Sequence, residues 1–319
     1  MATHTLNNGK LKLVVNEAGG CVDSFQYING FTFDVLRARV NTSNGFAGDS
    51  SMFPMLPMAN RIRGNQFVWR GHKVVLPVSR AIDDMFFLHG NGWISDWGLL
   101  TKNAGDDFLE LELTSSIDGV CEYHAKQSYQ LCDDALIVTM VLTNLGDDAF
   151  PFGAGFHPFF SVQQDTLVEF PATGFWFEDK QNLPDRFVRQ IPSNYNFNSE
   201  KTVPDLWINN GYQMSDSGVR ATLRHKNGVS VLVSSPCRYL QVYKPSAESN
   251  FLCLEPQSHY VNAHNFGCES LSVLSPQESM RISMRIQVIL DEKVEEVSQL
   301  PSGITTDFIS HNGRNFAKI

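Results

Sequence analysis

Alternation of apolar and polar residues dominates this chain. Residues 108–114 read FLELELT, residues 10–15 KLKLVV, residues 229–235 VSVLVSS and residues 280–290 MRISMRIQVIL. Successive side chains of a strand point to opposite faces, so a period of two marks strands with one buried face. A longer run, ALIVTMVLTNLG at residues 135–146, is rich in β-branched residues and reads as a strand buried on both sides. Polar turn signals (NNG, NEAGG, INGF, NAGDD, NLGDD, KNG) recur at short intervals. The one stretch with a helical stripe longer than about two turns is DEKVEEVSQL, residues 291–300. Many short strands joined by polar turns predict an all-β, antiparallel architecture with few short helices.

The chain has 319 residues, of which 42% are apolar and 18% charged, a globular composition. No linker, repeat or shift in composition divides it. The expected organisation is therefore one domain over residues 1–305 and a loosely held tail over 306–319, where the alternation fades. Lys and Arg number 25 against 34 Asp and Glu, a net charge of −9, which argues against a basic footprint for nucleic acid or anionic lipid. Six cysteines at 21, 121, 132, 237, 253 and 268 are scattered and several sit in apolar runs, as expected of reduced thiols in the cytoplasm. The N-terminal MATHTLNNGKLKL carries no apolar signal core, and no apolar run approaches a membrane span.

Four stretches break the strand rhythm by setting polar groups among apolar ones. FPMLPMANRIRGNQF (53–67) leads through prolines to Asn60, Arg61 and Arg63, and reads either as rigid donors for hydroxyl oxygens or as a surface loop with a paired arginine. FFLHGNGWISDW (86–97) places His89 at the mouth of a Gly-rich turn with Trp93 and Trp97 close by. An aromatic platform beside polar groups suits the C–H faces and hydroxyl edges of a sugar, while a satisfied core histidine is the plainer alternative. GAGFHPFF (153–160) encloses His157 among Phe156, Phe159 and Phe160, with Pro158 stiffening the backbone. In QVYKPSAESNFLCLEPQSHY (241–260), Glu255 follows the apolar FLCL, and a strand ending there would desolvate its carboxylate and raise its pKa. Nucleophile elbows, phosphate loops, dinucleotide fingerprints and zinc signatures are missing. His89, His157 and Glu255 compose a two-histidine, one-carboxylate metal set only if the fold gathers them.

These stretches, in this order, resemble the aldose 1-epimerase (galactose mutarotase) family, in what looks like a bacterial-type branch marked by EPQSH. The resemblance runs nearly the whole chain, from LKLVVNEAGGCVDSFQYING through ANRIRGNQFVWRGHKVVLP, LHGNGW and GFHPFF to FLCLEPQSH. It implies a large antiparallel β-supersandwich and cofactor-free interconversion of the α and β anomers of a free aldose. It further implies that Asn60 and Arg61 bind sugar hydroxyls, His89 the region of the ring oxygen, His157 acts as general acid and Glu255 as general base. Gln241 in LQVYK resembles a family glutamine facing the pocket. The family pattern Asp-His-x-Phe is absent; spacing to Tyr212 puts Asn209 at the aspartate's place, with Asp205 four residues earlier. His259 and Trp93 complete the expected binding set.

Anomer exchange asks for little more than a base at the C1 hydroxyl and an acid at the ring oxygen, roles that reverse after rotation about C1–C2. A glutamate of raised pKa and a near-neutral histidine suit this. The expected partner is a monosaccharide bound by a monomer or homodimer, with no metal and no membrane. A metal-dependent β-barrel isomerase or oxygenase would need the metal set above, and two other readings stand beside the mutarotase. One is a non-catalytic sugar sensor, which needs no pairing of His157 with Glu255. The other is an epimerase of phosphorylated or sulfonated hexoses, which needs extra cations such as Arg63, Arg70 or Arg80.

Overall fold

The computed structural model describes residues 2–41, 46–78, 83, 85–266 and 268–291. The boundary at 305, the tail 306–319, Arg80 and all of the helical stripe except Asp291 lie outside the described residues. Among the described residues, helix is confined to 3-10 turns such as Gly92–Ile94. Strands build an eleven-stranded sheet and a nine-stranded sheet, with two further two-stranded ribbons.

Period-two alternation carries through to burial. In Phe108–Ile117, Leu109, Leu111 and Leu113 turn inward while the intervening glutamates face out. Register then lines up Leu109, Tyr129, Val138 and Met284 across four neighbouring strands, and all four are buried. Ala135–Asn144, the strand expected to be buried on both sides, keeps most positions of both faces from solvent. One apolar cluster joins these residues of the nine-stranded sheet to Leu13, Phe25, Phe156, Phe160, Leu252 and Leu254 of the larger sheet. Two sheets sharing one core make a sandwich.

Six strands of the larger sheet lie side by side and position the candidate site: Met52–Met55, Gly155–Ser161, Phe251–Gln257, Tyr239–Lys244, Ile208–Met214 and Ala172–Glu178. Alternation sorts GAGFHPFF onto two faces. Phe156 and Phe160 enter the shared core, and only Phe159 stays with His157, so the three-phenylalanine enclosure read from the sequence is not what forms. Glu255 likewise lies inside a strand, Phe251–Gln257, rather than at its end. Between the register pairs Gly155–Gln257 and Phe159–Cys253 the ladder is interrupted. Pro158 and Pro256 fall in this gap, and neither has an N–H to donate.

Phe160→Ala removes a fully buried ring from the shared core. It is expected to cost about 3–5 kcal/mol in urea unfolding; a loss below about 1 kcal/mol would contradict the face assigned to Phe160.

Candidate active site

The antiparallel register that pairs Gly155 with Gln257 and Phe159 with Cys253 puts His157 opposite Glu255. On the outer sides, Phe53 pairs with His157 and Gln241 with Glu255, and Gly211 pairs with Gln241. One row, Phe53–His157–Glu255–Gln241–Gly211, therefore crosses five strands on the face turned away from the core. Side chains opposite each other on neighbouring strands stand close enough to touch. His157 Nε2 lies 3.1 Å from Glu255 Oε1. The sequence suggested an acid and a base facing one another across a cleft; the sheet instead holds them in direct contact.

Both groups are buried, Glu255 at 1% and His157 at 7% exposure. Burial disfavours the charged form of each. It pushes the Glu255 carboxyl up to about 8, opposed by a hydrogen bond from Gln257 Nε2 (3.2 Å) and by the Arg61 charge. Burial also takes the His157 imidazole down to about 3, with Arg37 and Arg61 adding to the depression. The 3.1 Å contact has the geometry of an ion pair, but desolvation works against both charges. With both groups held away from their charged forms, the pair is neutral at neutral pH, its proton on the Glu255 carboxyl. His157 Nδ1 is buried without a partner.

Aromatic contacts fix the imidazole ring. Phe53 stacks on it at 4.4 Å and 22°, Phe159 tilts against it at 4.7 Å, and His89 meets it edge-on at 5.2 Å. His89 is held in turn by reciprocal bonds to Asn60: its N–H donates to the Asn60 carbonyl (2.9 Å), and its Nδ1 accepts from the Asn60 N–H (3.2 Å). Since Nδ1 accepts, the proton of neutral His89 sits on Nε2. Burial, with His157 and Arg61 nearby, holds His89 well below the usual imidazole range. Asn60 and His89 both adopt left-handed backbone, at φ 62° and 60°, a conformation uncommon for histidine. Gly90 follows at φ 72°, where a Cβ would stand 2.1 Å from the Leu56 carbonyl oxygen, so the HGNG turn tolerates no side chain there.

Arg61 is mostly buried. Its Nη1 donates to Asn60 Oδ1 at 3.3 Å, and its Nη2 lies 3.8 Å from Asp83. Its charge acts on Glu255 and on Glu178. Gln241 donates through Nε2 to Asn209 Oδ1 (2.8 Å), and Asn209 donates through Nδ2 to Glu178 Oε2 (2.9 Å). A small depression of about 20 Å³ lies beside Gln241 and Asn209, walled by Trp176 and Tyr260, whose rings stack at 5.4 Å and 13°. A larger surface cleft lies elsewhere, around Trp69, Asp118 and Asp147, and contains none of these residues.

The fold thus brings together Asn60, Arg61, His89, His157, Asn209, Gln241 and Glu255. It uses three other expected residues differently. Trp93 is buried, stacks under Phe53 at 4.7 Å, and gives its indole N–H to the Leu88 and Gly90 carbonyls, so it supports the floor and is no exposed platform. His259 is fully buried. Its Nε2 accepts from the Ala59 N–H (3.1 Å), its Nδ1 donates to the Tyr260 carbonyl (2.9 Å), and its ring fills the space that a side chain on Gly153 would occupy. Asp205 is exposed before the Ile208–Met214 strand and makes no hydrogen bond or ion pair with the cluster. Phe53, Trp176, Glu178 and Tyr260 escaped the sequence reading. The signal for two of them was the aromatic run GFWFE at 174–178. The ligating atoms that gather within 4.8 Å are those of His157, Cys253 and Glu255, not the pair of histidines. Arg63 is paired with Asp179 at 2.7 Å, and Arg70 lines the distant cleft.

The aldose 1-epimerase family model matches residues 2–287, and the chain belongs to that family. The uncharacterised Escherichia coli K12 protein YphB is 33% identical over 297 residues, spanning 90% of this chain and 99% of its own length. A crystal structure from Escherichia coli K12 superposes with a TM-score of 0.83 at 31% identity, covering 91% of this chain and 99% of the other. The GalM/aldose epimerase homologue of C. elegans superposes with a TM-score of 0.77 at 15% identity over 91% and 99% of the two chains, a likeness of fold alone. The sandwich is thus galactose mutarotase-like. Among the described residues no helix is long and apolar enough to cross a membrane.

A carboxyl whose pKa is raised on folding costs stability once it ionises. For Glu255, stability is therefore lost as pH climbs from about 4.5 toward 8, and the loss is complete above that window. Glu255→Gln is expected to remove this loss. Relative to wild type it gains about 2–4 kcal/mol between pH 5 and pH 9 in denaturant unfolding. Equal pH dependence in both proteins would show that Glu255 is not desolvated. His157 contributes the opposite limb, losing stability as pH falls from 6.5 toward 3.

Proposed function

We propose that this protein is a mutarotase that interconverts the α and β anomers of a free aldose by acid–base ring opening and closure. The observation carrying the reading is the buried His157–Glu255 contact at 3.1 Å, framed by Arg61, His89 and Gln241. Membership of the aldose 1-epimerase family supports it.

The ring oxygen and the C1 hydroxyl of a cyclic sugar hang on one carbon, so an acid and a base serving them must be near neighbours. Moving the carboxyl proton from Glu255 to His157 makes a carboxylate and an imidazolium without changing the charge of the pair. Glu255 then takes the proton of the C1 hydroxyl as His157 protonates the ring oxygen, and the C1–ring-oxygen bond breaks to leave the open aldehyde. Carboxyl and imidazole are now both neutral. After rotation about C1–C2, Glu255 returns its proton to the carbonyl oxygen, His157 takes one from the attacking C5 hydroxyl, and the ring closes on the other face. Each proton transfer of this kind contributes on the order of 10²-fold or more. His89 presents Nε2–H as a donor toward the substrate, and Arg61 favours the ionised Glu255. The domain reads as one catalytic unit over residues 1–305, working on a monosaccharide in the cytoplasm. Arg63 is paired with Asp179 and Arg70 lines a different cleft, so neither of these two offers a free cation to a phosphorylated or sulfonated substrate; Arg80 lies outside the described residues.

Freshly dissolved pure anomers of common aldoses, followed by polarimetry with the spontaneous rate subtracted, test the reading. Wild type is expected to speed the approach to equilibrium for at least one aldose. His157→Asn and Glu255→Gln are each expected to lose about 10²-fold or more in kcat while keeping the wild-type circular dichroism. A folded variant turning over at the wild-type rate would refute the assignment.

A further inference from the structure

Proton transfer leaves the pocket beside Gln241 unexplained. Register carries the Phe175–Tyr212 pairing on to bring Glu178 opposite Asn209. There Glu178 receives Asn209 Nδ2 on one oxygen and the Trp207 indole N–H on the other. Every donor in the sequence Gln241 to Asn209 to Glu178 points outward, so the relay ends on a carboxylate and leaves acceptors free along it. Gln241 Oε1 is buried without a partner, and a carboxylate oxygen with one donor keeps room for another. Glu178, Asn209 and Gln241 all line this small depression, with the Trp176–Tyr260 stack as its apolar wall. A buried acceptor without a donor is one that a ligand is suited to satisfy.

The row across the sheet says which part of a sugar reaches this pocket. His157 serves the ring oxygen and Glu255 the C1 hydroxyl, on the reading above. The next strand over carries Gln241, about 5 Å further along the sheet. The ring carbon on the far side of C1 from the ring oxygen is C2, and C3 follows. We infer that Glu178 is a specificity-determining residue of this site: Gln241 Oε1 accepts from the C2 hydroxyl and Glu178, two strands further out, from the C3 hydroxyl. The substrate class is then an aldose bearing free hydroxyls at both carbons. A carboxylate borrowed from the neighbouring strand supplies the acceptor that Asn209 alone does not.

The inference rests on the mutarotase reading for its orientation, so its test reads binding and turnover separately. Tryptophan fluorescence titration of the full chain, with Trp176 at the pocket and Trp207 bonded to Glu178, gives Kd; polarimetry gives KM and kcat. The probes are the aldohexose that binds most tightly in a panel and its 2-deoxy and 3-deoxy analogues. Glu178→Ala is expected to raise Kd and KM for the parent sugar tenfold or more, with kcat within threefold. The 3-deoxy sugar is expected to bind wild type tenfold more weakly and to be insensitive to Glu178→Ala. Glu178→Gln, closer in shape, is expected to fall between. An unchanged Kd in both variants, equal weakening for parent and 3-deoxy sugars, or failure of wild type to bind any sugar of the panel would overturn the inference. The expected binding pattern without any exchange would uphold the subsite and refute the mutarotase reading. Exchange with unchanged KM in Glu178→Ala would do the reverse.

Discussion

Everything in this site depends on keeping a carboxyl and an imidazole out of water and against each other. In water the carboxyl would be ionised and the imidazole would titrate near neutral pH; burial between the strands holds the carboxyl protonated and the imidazole neutral. Desolvation is costly for either charge alone. Two groups that can pass the proton between them escape most of that cost. The near-neutral imidazole expected from the sequence is not what the fold gives: burial holds His157 down at about 3. Glu255, raised to about 8, can hold or release a proton near neutral pH. Burial and reactivity therefore have one cause.

The surroundings follow from that requirement. The strand register sets His157 opposite Glu255, and the prolines at 158 and 256 fall where the ladder between them is open. Phe53 and Phe159 hold the imidazole plane, and the Asn60–His89 bonds fix one tautomer of the second histidine. Left-handed backbone at Asn60 and His89 is the conformational cost of aiming both side chains inward. Arg61 supplies the positive charge that keeps the carboxylate form of Glu255 within reach.

Much of this was legible in the chain. Period-two patterning gave the sandwich because alternation states directly which side chains are buried, and His89, His157 and Glu255 stood out as titratable groups in apolar company. What patterning does not state is which residue of one strand meets which residue of another. Phe53 and Glu178 enter the site through cross-strand register alone, 104 and 77 residues from His157 and Glu255 in sequence. The same limit explains Trp93 and His259. Each looked suited to a ligand, yet each has its polar atoms satisfied by nearby carbonyls or amides and its ring enclosed by packing. Asn209 occupies the position expected of an aspartate, and the carboxylate that accompanies it comes from a strand the motif does not include.

The central claim is that Glu255 and His157 are both uncharged at neutral pH in the empty site. Carbon NMR of protein labelled at glutamate Cδ and histidine Cε1, titrated from pH 4 to pH 9, measures it directly. The account predicts a Glu255 carboxyl that ionises near pH 8 and a His157 ring that stays neutral down to pH 4. A Glu255 carboxyl ionised by pH 5 beside a protonated His157 at pH 7 would contradict it.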